Sequence, residues 1–297
     1  MRKIYLSKWL LGAVILLAVS CAVNPFTGRN QLALVDSGTI NQLAVEEYAK
    51  VKQTSKILSP ATNQNAAMVV RVGSRIAAGI SEYYKAKGLD QYLNAMKWEY
   101  MLIDEKTVNA WCMPGGKIAV YTGLLPVTEN EDALAVVMGH EVAHAIAEHG
   151  KERMSQGLVQ QLGGMALSVA LSSKPAETQS LFMTAYGLGT EVGAMLPFSR
   201  SSESEADKLG LIYTAVAGYN PAEAIPLWKR MEALSGSEKP PEFLSTHPTE
   251  QNRIKELEKQ MPAALELYKA SKAGKAVAPK AVVAPKEWKK GKVKVLD

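Results

Sequence analysis

Residues 140–144 read His-Glu-Val-Ala-His, and this stretch limits what the chain can fold into more than any other. On an α-helix each residue advances about 100°, so His140 and His144 lie about 40° apart around the axis. Their imidazoles then aim at one point, with Glu141 beside them. Two imidazoles and an acid at this spacing bind a metal ion and set a base against its water. The bland alternative is a pair of surface histidines on an amphipathic helix. With only four histidines in 297 residues, a chance match of this form is rare.

Two histidines leave a zinc site incomplete, because catalytic zinc takes three protein ligands and keeps one position for water. Glu203 and Glu205 on a later helix and His247 on a loop are the candidates for the third. His149 is about 140° round a continuing helix from His144, which excludes it as a ligand. Spacing favours Glu203. It shares a face with Asp207 four residues on, whereas Glu205 points away. Asp207 can accept a hydrogen bond from a ligand imidazole and fix its tautomer. His247 and Arg253 are candidates to donate to an oxyanion. His247 could instead reach the metal at rest, making residues 240–248 a gate.

The motif needs a helix, and the flanking sequence provides one. Thr128 with Glu131 three residues on reads as a capping box, and the apolar pattern then runs to about Gly150. Residues 37–56 and 63–87 carry helical periodicity, and Gly88 stops the second run. Residues 97–104, 109–111 and 117–122 read as strands, the last two separated by Pro114-Gly115-Gly116. The strand at 117–122 is expected to bind substrate backbone by strand addition. Residues 157–171 read as one buried or lid helix. Further helices are expected from 175 to 196, after a cap at Ser199 or Ser201, over 221–234 and over 250–267. The fold class is therefore α+β, mainly helical, with a small β-sheet before the 140–144 helix.

Charge and hydropathy divide the chain. The net charge is +5, of which residues 1–20 carry +3 and residues 272–297 carry +6, leaving −4 between them. A basic tail on a mildly acidic body argues against a nucleic-acid-binding domain. Residues 1–20 combine Arg2, Lys3 and Lys8 with an apolar run from Trp9 to Val19, the form of a signal peptide. Leu17-Ala18-Val19-Ser20-Cys21 resembles a bacterial lipobox and implies cleavage before Cys21 and its lipidation. An ordinary secretory signal is the rival reading. The expected divisions are a signal peptide at 1–20, a lipidated spacer at 21–35, a metallopeptidase domain at 36–271 and a disordered tail at 272–297. Cys112 is then the only other cysteine, so no intramolecular disulfide is expected. No feature sets an oligomeric state.

With these residues in place, the chain resembles the M48 family of gluzincin metallopeptidases. The resemblance rests on His140-Glu141-x-x-His144 and Glu203-x-x-x-Asp207, with Gly210 after them. It also rests on Asn109-Ala110-Trp111, Pro114-Gly115-Gly116, Ala217-Gly218-Tyr219-Asn220-Pro221, Thr246-His247-Pro248 and Arg253-Ile254. Asn24-Pro25-Phe26-Thr27-Gly28-Arg29 after Cys21 resembles the family's lipoprotein branch. The resemblance covers about residues 21–260. It implies a zincin-type fold and one zinc ion held by His140, His144 and Glu203. It implies Glu141 as general base, a supporting role for Asp207 and polypeptide substrates. The expected setting is a bacterial cell envelope, as an outer-membrane lipoprotein facing the periplasm and acting on misfolded or unassembled envelope proteins. The alternative is a periplasmic chaperone or assembly factor whose zinc site is mostly gated. A structural zinc protein is a third reading.

Overall fold

Helix α4 (Glu131–Ile146) buries every residue from Ala133 to Ile146, the mark of a helix enclosed on all sides. Its His and Glu side chains therefore project into the molecule. In this computed structural model, residues 21–186, 198–235, 241–248 and 252–274 are described. The expected signal peptide at 1–20 and nearly all of the expected tail at 272–297 lie outside them. Asn130 caps α4, its side chain accepting from the Ala133 N–H. The capping box expected at Thr128 is not the cap. Thr128 ends the short helix α3 (Leu125–Thr128), and Glu129 turns the chain at φ 65°.

Four elements are grouped around α4, three of them packed directly on it. Helix α8 (Arg200–Val216) crosses it at two glycines, and Ser199 caps α8 as expected. A Cβ on Gly210 would stand 3.0 Å from His140 Cα, and one on Gly139 would stand 3.0 Å from Gly210 O. Helix α2 (Gln64–Lys85) buries Val69, Val72, Ile76, Ile80, Tyr83 and Tyr84. Helix α11 (Arg253–Lys272) packs on α8. Full burial of each such aliphatic side chain is worth about 1.5–3 kcal/mol.

The fourth element is a sheet of β3 (Ile57–Leu58), β4 (Glu99–Ile103), β6 (Lys117–Tyr121) and β5 (Ala110–Met113), in that order. Strand β6 runs parallel to β4 and antiparallel to β5, with Ala110 opposite Val120 and Met113 opposite Lys117. Strand alternation splits the core. Leu102, Ala110, Cys112, Ile118 and Val120 face α4, while Met101, Ile103, Trp111, Met113 and Ala119 face the opposite layer. That second layer is built from α1 (Ser37–Thr54), α5 (His149–Leu162), α6 (Leu167–Ser173) and α7 (Pro175–Ala185). The expected single helix at 157–171 is broken by Gly163 and Gly164, at φ 65° and 77°. The substrate strand also needs correction. β6 has partners on both sides, so the edge next to it belongs to β5, with β3 at the opposite edge.

The last elements are α9 (Ala224–Ser235) and α10 (Glu242–Thr246), the latter just before His247. At the other end β1 (Cys21–Val23) pairs with β2 (Asn30–Leu32) around the Asn24–Arg29 turn. Cys21 is exposed, Cys112 is buried, and both are free. Among the described residues no helix is long and apolar enough to cross a membrane.

Candidate metal centre

Helix α4 sets His140 and His144 one turn apart, and their Nε2 atoms converge to 3.1 Å. Helix α8 brings Glu203 against them, Oε1 at 3.3 Å from His144 Nε2 and Oε2 at 3.5 Å from His140 Nε2. His247 enters from the end of α10. Its Nδ1 lies 2.9 Å from Glu203 Oε1 and 3.3 Å from His140 Nε2. All four residues are buried, and one donor atom from each lies within 4.8 Å of the others.

The donor set fits zinc. Tetrahedral zinc with bonds of about 2.0–2.1 Å holds its ligand atoms about 3.3–3.4 Å apart. The spacings of 2.9–3.5 Å bracket that value. Glu141 Oε1 is buried without a hydrogen-bond partner among the described residues, and Glu203 Oε2 has ion-pair contacts with Arg253 Nη1 at 3.3 Å and His140 Nε2 at 3.5 Å but no hydrogen bond among them. Orphaned carboxylate oxygens are costly in an interior unless a cation or water meets them.

The electrostatics are those of a site made for a cation. Burial alone would raise the Glu203 pKa, but His247, His140 and His144 hold it well below the usual carboxylate range. Burial pushes His144 well below the usual imidazole value. Burial opposes protonation of His140 too, yet Asp207 and Glu203 outweigh it and raise that pKa to about 9. Burial raises the Glu141 pKa.

Further charged groups lie against the four candidate donors. Asp207 Oδ1 lies 3.0 Å from His140 Nδ1, as its spacing with Glu203 predicts. Arg253 Nη2 donates to Asp207 Oδ1 at 2.7 Å, and Nη1 lies 3.3 Å from Glu203 Oε2. Its guanidinium is 3.3 Å from the Trp228 ring centroid. Arg253 thus sits behind the ligands, against the acids. Glu141 Oε1 lies 3.5 Å from His247 Nε2. Phe198 and Phe243 stack on His144 and His247, with centroids 4.1 Å and 4.5 Å apart.

His149 is not among the converging donors, as expected, but sequence reasoning missed its contact with His144. Helix α4 does not continue to Gly150. The chain turns at Glu148, φ 55°, and α5 starts afresh at His149. The new direction sets His149 Nδ1 3.0 Å from His144 Nδ1. No glycine or proline marks the turn, so no local signal was present to find it.

The free edge of β5 faces this centre. Asn109, Ala110, Trp111 and Cys112 line a cavity with Glu141, His144 and His247. Its volume is about 10 Å³, room for about one water.

An HExxH helix, a glutamate from a second helix and a strand edge beside them define a zinc metallopeptidase site. Residues 73–261 match the model of peptidase family M48, and the chain belongs to that family. The mitochondrial metalloendopeptidase OMA1 of Schizosaccharomyces pombe is 32% identical over 244 residues, 81% of this chain and 66% of the relative. Human metalloendopeptidase OMA1, mitochondrial, is 29% identical over 252 residues, 82% of this chain and 47% of the relative. The beta-barrel assembly-enhancing protease of Escherichia coli strain K12 is 28% identical over 184 residues, 59% of this chain and 37% of the relative. This chain thus spans between about a third and two thirds of these relatives' lengths. The expected placement as a bacterial outer-membrane lipoprotein facing the periplasm is overturned. Relatives aligned over about four fifths of the chain, from fission yeast to cattle, zebrafish and human, are mitochondrial enzymes.

Proposed function

We propose that this chain is a zinc-dependent endopeptidase that cleaves extended segments of misfolded or unassembled polypeptides. The observation that carries the reading is the convergence of His140, His144 and Glu203 with Glu141 buried beside them. Bound zinc supplies Lewis acidity at the scissile carbonyl and acidifies a water. Glu141 takes the water's proton and returns it to the leaving amine. Asp207 holds the proton of His140 on Nδ1 and so keeps Nε2 free for the metal. Arg253 neutralises Asp207 and Glu203 from behind. The free edge of β5 takes the substrate backbone as an added strand, which makes side-chain selectivity modest.

His247 regulates this site in our reading. It supplies the fourth donor, and the cavity beside it is too small for a peptide. His247 must leave with α10 before substrate enters. The same closure favours a second reading, an assembly factor or chaperone whose zinc is mostly gated.

Zinc content and casein cleavage, with and without chelator, test the proposal. Wild type is expected to carry zinc and cleave casein, and His247→Ala to cleave faster. Metal-free protein with no gain on added zinc would remove the peptidase reading. Slower cleavage by His247→Ala with zinc retained would assign His247 to catalysis instead of gating. A biological function that survives Glu141→Gln would favour the chaperone.

A further inference from the structure

Residues 24–31 lie outside the stretch that matches the family, 73–261, yet they touch the metal centre's supports from two directions. The first is a hydrogen-bond chain behind His144. His144 turns Nε2 toward the other donors, so a ligating imidazole carries its proton on Nδ1. That Nδ1 lies 3.0 Å from His149 Nδ1, which must accept. His149 then carries its own proton on Nε2, 2.8 Å from Glu205 Oε2. Glu205 in turn accepts from Arg29 Nε at 3.1 Å. Arg29 is fixed by a two-pronged pair with Glu152, at 3.0 Å and 2.7 Å. Every donor and acceptor in this chain has one allowed assignment, and it ends on a paired charge.

The second contact is with the helix that carries the motif. The last carbonyls of a helix lack intrahelical partners. Asn24 Nδ2 donates to Ile146 O at 3.0 Å, and Gln31 Nε2 donates to Ala147 O. Asn24 also accepts from the Phe26 and Thr27 N–H groups, which holds the turn in shape. Asn24 and Gln31 are 1% and 4% exposed, so water does not compete for these bonds.

We propose that the 24–31 turn is a positioning module for the zinc centre. Arg29, Glu205 and His149 fix the tautomer and ring plane of His144, while Asn24 and Gln31 fix the end of α4. The two histidine ligands are thus oriented differently. His140 meets a carboxylate directly, at Asp207, whereas His144 reaches one through a second imidazole. Without the acceptor at His149, His144 is free to move its proton to Nε2, and that form cannot bind a metal. The inference rests on the zinc centre and not on peptide hydrolysis.

The test is the zinc dissociation constant of the full chain, read by competition with a chromophoric chelator, beside the melting of the metal-free protein. His149→Phe keeps the ring's shape and removes both nitrogens. It is expected to weaken zinc binding about 10–100-fold, the usual effect of losing an outer partner. His149→Gln can accept from His144 and donate to Glu205, and is expected to recover most of that loss. Arg29→Met and Glu205→Gln are expected to weaken binding by smaller factors. Should His149→Phe fail to fold, these last two carry the test, because their side chains are partly exposed. Unchanged zinc affinity in the folded variants would overturn the proposal. So would equal weakening by Phe and Gln that simply follows the loss of metal-free stability. Peptidase activity enters neither readout, so failure here is distinct from failure of the proposed reaction.

Discussion

Glu141 follows His140 in sequence and Asp207 meets it in space, and they do different work. Among the described residues Glu141 Oε1 has no hydrogen-bond partner, which leaves it open to take a proton. Glu141→Gln should lower kcat by about 10²–10⁴, the range of general-base catalysis, with zinc content unchanged. Metal loss in that variant would move Glu141 into the ligand set. Asp207 is committed to His140 and Arg253. Asp207→Ala should therefore weaken zinc about 10–100-fold, and an unchanged dissociation constant would deny it the orienting role. Both acids were legible in the sequence, because positions one or four apart on a helix have fixed relative directions. His140, His144 and Glu203 were legible for the same reason. His149 was not, because its angle was drawn for a helix that in fact ends at Ile146, ahead of a left-handed Glu148. Arg253 was singled out for its chemistry, but a residue type does not say which side of the ligands it reaches.

The elements that matter most are α4 and α8, and their crossing is set by Gly139 and Gly210. These glycines let the two helix backbones meet where His140 faces Glu203. A side chain at Gly210 would press on the His140 backbone at 3.0 Å. Gly210→Val should cost about 1–3 kcal/mol of stability by overpacking. It should also weaken zinc, because it separates the ligands of one helix from those of the other. Chemical denaturation and chelator competition on the same variant check both, and loss of stability alone would show that the crossing has slack. Helix and strand positions were largely legible here, but neighbours were not. Residues 110–113 and 117–121 are both nearly continuous apolar runs, since the sheet is covered on both faces. Such runs do not reveal which strand has a free edge, and the expectation fell on β6 instead of β5. Thr128 with Glu131 made a valid capping pattern too. The chain used Asn130 because a left-handed Glu129 first ends a short helix there.

Across the whole molecule, a zinc ion held by His140 on α4, Glu203 on α8 and His247 after α10 would tie together three elements spread over 107 residues. The question is whether the fold needs that tie. Two hydrophobic layers, one on each face of the sheet, contain dozens of side chains that touch no ligand, among them Val69, Ile76, Ile80 and Tyr84 on one side and Ile40, Tyr48, Trp111 and Phe182 on the other. A core of that extent holds without a metal, unlike small domains whose folding energy is their zinc affinity. Metal should then act as a ligand that stabilises by mass action. At free zinc about 1,000 times the dissociation constant, it contributes about 4 kcal/mol. For a domain of about 200 residues that is a shift in Tm on the order of 10 °C. Chelation should lower Tm by this order while circular dichroism at room temperature stays helical. Unfolding at room temperature on chelation would instead mark the zinc as structural. A Tm that chelation leaves unchanged would show that His140, His144, Glu203 and His247 close on one another without an ion.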